Sequence, residues 1–150
     1  MSDTLFCPIR NKWVAALPEE KIRQALIQDM IHRLGFPQGS LALEKNLSQL
    51  PHLHASPSLP NRRTDLVVLA KNIHPVHPFY PLLLVECKAV PLTDKVLRQM
   101  IGYNQFVKAH FIAAVNQTTA FIGWYNPEHQ DFIFEEGLFS YAYLISKTAH

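Results

Sequence analysis

Leu66-Val67-Val68-Leu69 and Pro81-Leu82-Leu83-Leu84-Val85 are uninterrupted apolar runs bounded by Pro and polar residues, and both read as strands buried on two faces. Elsewhere the hydrophobic spacing is periodic. Pro18-Glu19-Glu20 opens a helix, with Pro in its first turn and acids at its positive end. Ile22, Ala25, Leu26, Met30 and Ile31 carry that helix to Leu34, before Gly35 ends it. Leu41 to Glu44 predicts a first strand, and residues 47 to 60, rich in Ser, Pro and His, read as a turn or mobile hairpin. Thr93 or Asp94 caps a second helix whose apolar positions Val96, Leu97, Met100, Ile101 and Val107 persist to about Lys108. Phe111 to Val115 and Phe121 to Tyr125 read as strands. Phe132-Ile133-Phe134 is a candidate edge strand, and Tyr141 to Ile145 a last short element.

The two apolar runs carry charges at their ends. Asp65 precedes the first, and Glu86 and Lys88 follow the second, two apart and so on one strand face, with Cys87 turned the other way. Asp65 and Glu86 are 21 positions apart, with Pro75, Pro78 and Pro81 between them. That link has room for a hairpin or a wide loop but not for a crossover helix, so the strands are expected to be antiparallel neighbours. A helix separates the Glu86 strand from Phe111 to Val115, which makes that pair parallel. Carboxylates beside buried strands need a partner, and a divalent cation supplies one. Mg²⁺, with Mn²⁺ as a substitute, accepts a few carboxylate oxygens and keeps several waters. Asp65, Glu86 and the backbone carbonyl of Cys87 would therefore leave room for a phosphate and a nucleophilic water. The Lys88 ammonium would orient that water and offset charge on the phosphorane. A lone Glu-x-Lys is ordinarily a solvated ion pair worth little. Asp65 on the preceding strand is what raises its weight.

These residues resemble the PD-(D/E)xK nuclease superfamily and, within it, the N-terminal nuclease domain of the type I restriction enzyme R subunit. The resemblance runs from Pro8-Ile9-Arg10-Asn11-Lys12-Trp13-Val14 through Pro18 to Gln24, Glu44-Lys45, Arg62 to Asp65, Val85 to Ala89 and Gln99 to Asn104. It implies an α/β restriction-endonuclease-like core, a mixed central sheet flanked by helices. It also implies metal at Asp65 and Glu86, catalysis by Lys88, an acid from the first helix at Glu19 with Glu20 the alternate, and substrate contacts from Arg63, Gln99 and Tyr103. Two departures stand out: Leu17 replaces a capping Thr before Pro-Glu-Glu, and Val115-Asn116-Gln117 replaces Thr-Asn-Gly. The function implied is a Mg²⁺-dependent DNA endonuclease working as a homo-oligomer or with partner restriction subunits. The alternative is a catalytically silent DNA-binding or structural module of the same fold. RNA or branched DNA would be served by the same residues.

Composition narrows this picture. The chain has 150 residues, 48% of them hydrophobic, which suits one nuclease-like domain over residues 1 to 150. A net charge of +2 permits nucleic-acid binding without announcing it, so the footprint must be local. Arg62, Arg63, Lys88, Lys95 and Arg98 are its candidates, with Lys95 and Arg98 equally readable as a solvated helix face. Two cysteines make no disulfide framework. Met1 to Leu5 lacks a leader pattern, and no apolar run approaches ~20 residues. A cytoplasmic protein without a membrane segment is expected. His52-x-His54 and His74-x-x-His77 lack cysteine partners at zinc spacing and read as solvated loop histidines. Aromatics from Phe121 to Tyr143 read as core more than as base-stacking surfaces. With five glycines and no Gly-rich phosphate loop, no ATP site is visible.

Overall fold

The computed structural model describes residues 3–148, so Met1 and Ser2 of the leader reading lie outside the described residues. A hairpin, β1 (Thr4–Cys7) and β2 (Lys12–Ala15), opens the chain and was not foreseen from the hydrophobic pattern. It is followed by α1 (Pro18–His32). Six strands form the main sheet: β3 (Leu41–Leu43), β4 (Leu66–Lys71), β5 (Phe79–Cys87), β6 (Phe111–Val115), β7 (Ala120–Asn126) and β8 (Asp131–Glu136). They lie in chain order, and only the β5–β6 pair is parallel. The helix between those two strands, α2 (Asp94–Val107), supplies the crossover that a parallel pair needs. The last element is a helix, α3 (Tyr141–Thr148).

The continuous apolar run of β5 has a direct cause. Leu83, Val85 and Cys87 pack with Ile22, Leu26, Ile27 and Met30 of α1 on one face, while Leu84 packs with Met100, Tyr103 and Val107 of α2 on the other. A strand covered by a helix on both sides has no polar face. Pro81 sits within this central strand where the β4–β5 register shifts between Val68 and Leu69, an irregularity that accommodates its missing N–H. Helix α1 ends sooner than its spacing suggests. Gly35, at φ +75°, turns the chain, and the Phe36 N–H donates to the Met30 carbonyl. Thr93, not Asp94, caps α2, its hydroxyl accepting from the Val96 N–H.

The segment expected as a turn or mobile hairpin is different. Leu47–Gln49 and Pro51–Leu53 form two 3₁₀ turns, the first closed by a reciprocal Asn46–Gln49 capping box. Leu47, Leu50 and Leu53 are spaced three apart, and all three are buried in the α2-side core. Three residues per turn places them on one edge, and scattered Ser, Pro and His masked that period.

Candidate active site

The site lies where β4 begins and β5 ends. Leu66 pairs with Val85, so one step further the antiparallel register sets Asp65 across from Glu86. The Cys87 N–H donates to Asp65 Oδ2 at 2.6 Å, and Arg23 Nη1 donates to Oδ1 at 2.7 Å. Asp65 is therefore gripped by the neighbouring strand and by α1. Five carboxylates (Glu19, Glu20, Glu44, Asp65 and Glu86) and one guanidinium, Arg23, line a cleft of about 360 Å³ with Ala15 and Leu17 at its edge.

The carboxylates in this cleft are in unlike states. Glu20 is 9% exposed and accepts hydrogen bonds from Arg10, Arg23 and Gln24. Burial pushes its carboxyl up, but those donors outweigh burial and hold it down at about 2. The Glu86 carboxylate accepts no hydrogen bond among the described residues. Burial, then the Asp65 charge, push it up to about 7, although Lys88 and Arg62 pull in the opposite direction. An acid without donors beside a second acid is an under-neutralised pair.

The other sequence-predicted residues stand in unlike relations to that pair. Lys88 follows the end of β5, its N–H donating to the Val115 carbonyl and its ammonium close enough to act on Glu86. Glu19 is exposed at the cleft, and its charge raises Glu86. Tyr103 is buried, its hydroxyl has no partner, and burial with the Glu86 charge pushes it up to about 12. The Arg62 guanidinium covers the Tyr103 ring at 3.8 Å. Arg63 is exposed, with its backbone bridged to Asn46. Gln99 is exposed on α2, and its side chain makes no hydrogen bond among the described residues. Cys87 turns into the α1-side core as expected, and burial first, then Asp65, push its thiol far up.

The residues that hold the acids were given no role by sequence reasoning. Arg23 bonds Glu20 through Nε at 3.0 Å and Nη2 at 2.8 Å while reaching Asp65, and Arg10 ties Glu20 to Glu44. Arg10 and Arg23 both lie inside the motifs quoted above, but their burial is set by tertiary packing. Leu17 offers α1 no side-chain cap, as its chemistry requires.

Among the described residues no three His, Cys, Asp or Glu side chains form a metal cage. The donor set fits a more open site. Glu86 has no donor, and each Asp65 oxygen keeps a second lone pair beyond the bond it accepts. Mg²⁺ is commonly held by one or two carboxylates with waters and substrate phosphates.

A mixed sheet flanked by helices, with opposed carboxylates and a lysine at the carboxyl end of its central strand, defines a restriction-endonuclease-like α/β protein. The chain belongs to the family described as the type I restriction enzyme R protein N terminus, whose model matches residues 18–136. No curated protein and no solved structure matches it.

Proposed function

We propose that the chain is a Mg²⁺-dependent endonuclease acting on DNA, with Asp65, Glu86 and Lys88 at its centre. The observation that carries this reading is Glu86, half-buried, its carboxylate without a hydrogen-bond donor and set across from Asp65 by the β4–β5 register. Asp65, Glu86 and the Cys87 carbonyl would hold the cation. When bound, Mg²⁺ supplies Lewis-acid chemistry, lowering the pKa of water and offsetting phosphate charge.

The chain's own groups do the rest. Arg23 and the Cys87 amide fix the Asp65 carboxylate in one orientation, so no reorganisation is needed at reaction. Lys88 places a mobile ammonium on the Glu86 face, where it orients a water by hydrogen bonding and offsets charge that grows on phosphate oxygens. The exposed Arg62 guanidinium is a donor for a bound phosphate, and Tyr103, whose hydroxyl is buried, contributes by carrying that guanidinium on its ring. Glu19 assists from the mouth of the cleft, and Gln99 and Arg63 approach the substrate from its rim. Cytoplasmic placement agrees with two free buried cysteines, the state a reducing compartment maintains. No helix of the described residues is long and apolar enough to cross a membrane.

A binding-only module is favoured by one observation: protein donors already engage both Asp65 oxygens. Plasmid cleavage at low salt with Mg²⁺ or Mn²⁺ separates the readings. Nicking that is lost in Glu86→Gln and Lys88→Ala establishes the nuclease, whereas retained cleavage in either folded variant overturns the site. No cleavage by the unmodified chain, together with DNA binding, selects the module or a requirement for partner restriction subunits.

A further inference from the structure

The amino-terminal hairpin exposes apolar surface that its own core does not use. Phe6 and Trp13 are cross-strand partners, 44% and 68% exposed, in edge-to-face contact at 5.4 Å between ring centroids. Leu5, Cys7 and Val14 face inward, so burial of this hairpin does not require Trp13. The strand alternates, so Trp13 shares its face with Ala15, and Ala15 and Leu17 line the acidic cleft. Two residues of strand separate the indole from the cleft edge by roughly 7 Å. The hairpin is also anchored: Arg10, in its turn, bonds Cys7, Glu20 and Glu44. On the opposite face from Phe6 and Trp13, Arg10, Lys12 and Lys45 line a second groove of about 480 Å³, in which both lysines are exposed and unpaired among the described residues.

We propose that Phe6 and Trp13 form a base-stacking platform for an unpaired nucleotide next to the scissile phosphate, which makes the substrate class single-stranded or locally unpaired nucleic acid. An aromatic ring one short step from a phosphodiester-cutting centre, on a hairpin tied to α1 and Glu44 through Arg10, offers a π-face for the base. In a duplex the bases stack on one another and present no free face to the indole. The proposal rests on the nuclease reading for the meaning of the cleft but not for its test.

The test is fluorescence anisotropy of labelled oligothymidylate, an abasic oligomer of equal length and charge, and a blunt duplex, in Ca²⁺ so that turnover does not consume the probe. Oligothymidylate should bind about tenfold more tightly than the abasic strand. Trp13→Ala should erase that ratio without moving the melting temperature, and Trp13→Phe should retain most of it. Equal binding of base-bearing and abasic strands, no binding, duplex binding as tight as single-strand binding, or discrimination that survives Trp13→Ala would overturn the proposal. So would sedimentation showing a dimer that Trp13→Ala dissolves, because the patch would then belong to a second copy. Absence of discrimination in the unmodified chain, with metal-dependent plasmid cleavage intact, rejects the platform alone, whereas discrimination without cleavage upholds the platform and selects the binding module or a requirement for partner subunits.

Discussion

Strand β5 is a rod with two unlike ends. At its carboxyl end five carboxylates crowd one cleft, two arginines fix part of them, and Glu86 is left without a donor. At its amino end four histidines surround Tyr80. His74 stacks on the ring at 4.3 Å, His52 and His110 lie at 5.0 and 5.2 Å, and His77 at 6.1 Å. Of the histidines expected as solvated loop residues, His54 is exposed, whereas His52, His74 and His77 are half-buried here. His52 Nε2 lies 2.6 Å from the Val107 carbonyl, and Tyr80 donates to the Lys108 carbonyl at 2.6 Å, so both close the last carbonyls of α2. His74 Nδ1 accepts from the amides of Val76 and His77. One end closes on neutral hydrogen bonds to backbone. The other keeps an uncompensated charge, which is a cost to folding retained where chemistry is proposed.

The sharpest way to break the contrast is Arg23→Ala. Arg23 is 7% exposed and joins Glu20 to Asp65, so its loss leaves the half-buried Asp65 carboxylate without a cation and the buried Glu20 with Arg10 alone. Urea unfolding should show a loss of about 3–5 kcal/mol. Arg23→Lys should not restore it, because one ammonium cannot reproduce three directed contacts. Glu86→Gln acts in the opposite direction. With the Glu86 carboxyl raised from about 4.5 to about 7, the native state binds the extra proton, so ionisation destabilises the fold as pH rises through that window. At pH 8 without metal the variant should be more stable than the parent by about 2 kcal/mol, and Mg²⁺ should raise the parent's melting temperature more than the variant's. At the other end, Tyr80→Phe removes one neutral bond and should cost about 1 kcal/mol, with no response to Mg²⁺.

The sheet was legible because its signals are local: apolar runs bounded by Pro, and link lengths that decide between a hairpin and a crossover. They yielded the antiparallel β4–β5 pair and the parallel β5–β6 pair, and with them Asp65 and Glu86 at one end of the sheet. The hairpin β1–β2 was not legible, since four-residue strands whose outer face holds Phe6 and Trp13 show no amphipathic alternation. The Arg10 and Arg23 network was hidden for another reason. Arginine in sequence reads as surface, and only the packing of α1 and the hairpin across the sheet end buries these two. Asn104 is a third case: its buried side chain accepts from the Ala109 N–H and donates to the Ala109 carbonyl, closing the turn into β6 through a contact five residues away.

The smallest effect tests both ends at once through pH. Burial, then the charges of His77, His74 and Lys108, lower His52 from its usual value, and its Nδ1 is buried without a partner. A histidine with a depressed native pKa binds its proton more readily in the unfolded chain. Its contribution to stability is therefore present above pH 6.5 and is lost as pH falls through that value toward the native pKa. Glu86 runs the other way, gaining stability as pH falls from about 7 toward 4.5. In the unmodified chain the two slopes oppose each other as pH falls below 6.5. Glu86→Gln should uncover a decline on acidification, and His52→Gln should uncover a rise. Urea midpoints at a series of pH values read both slopes from the same protein. Parallel curves in the two variants would mean that the ends of β5 do not differ in the way their hydrogen bonds indicate.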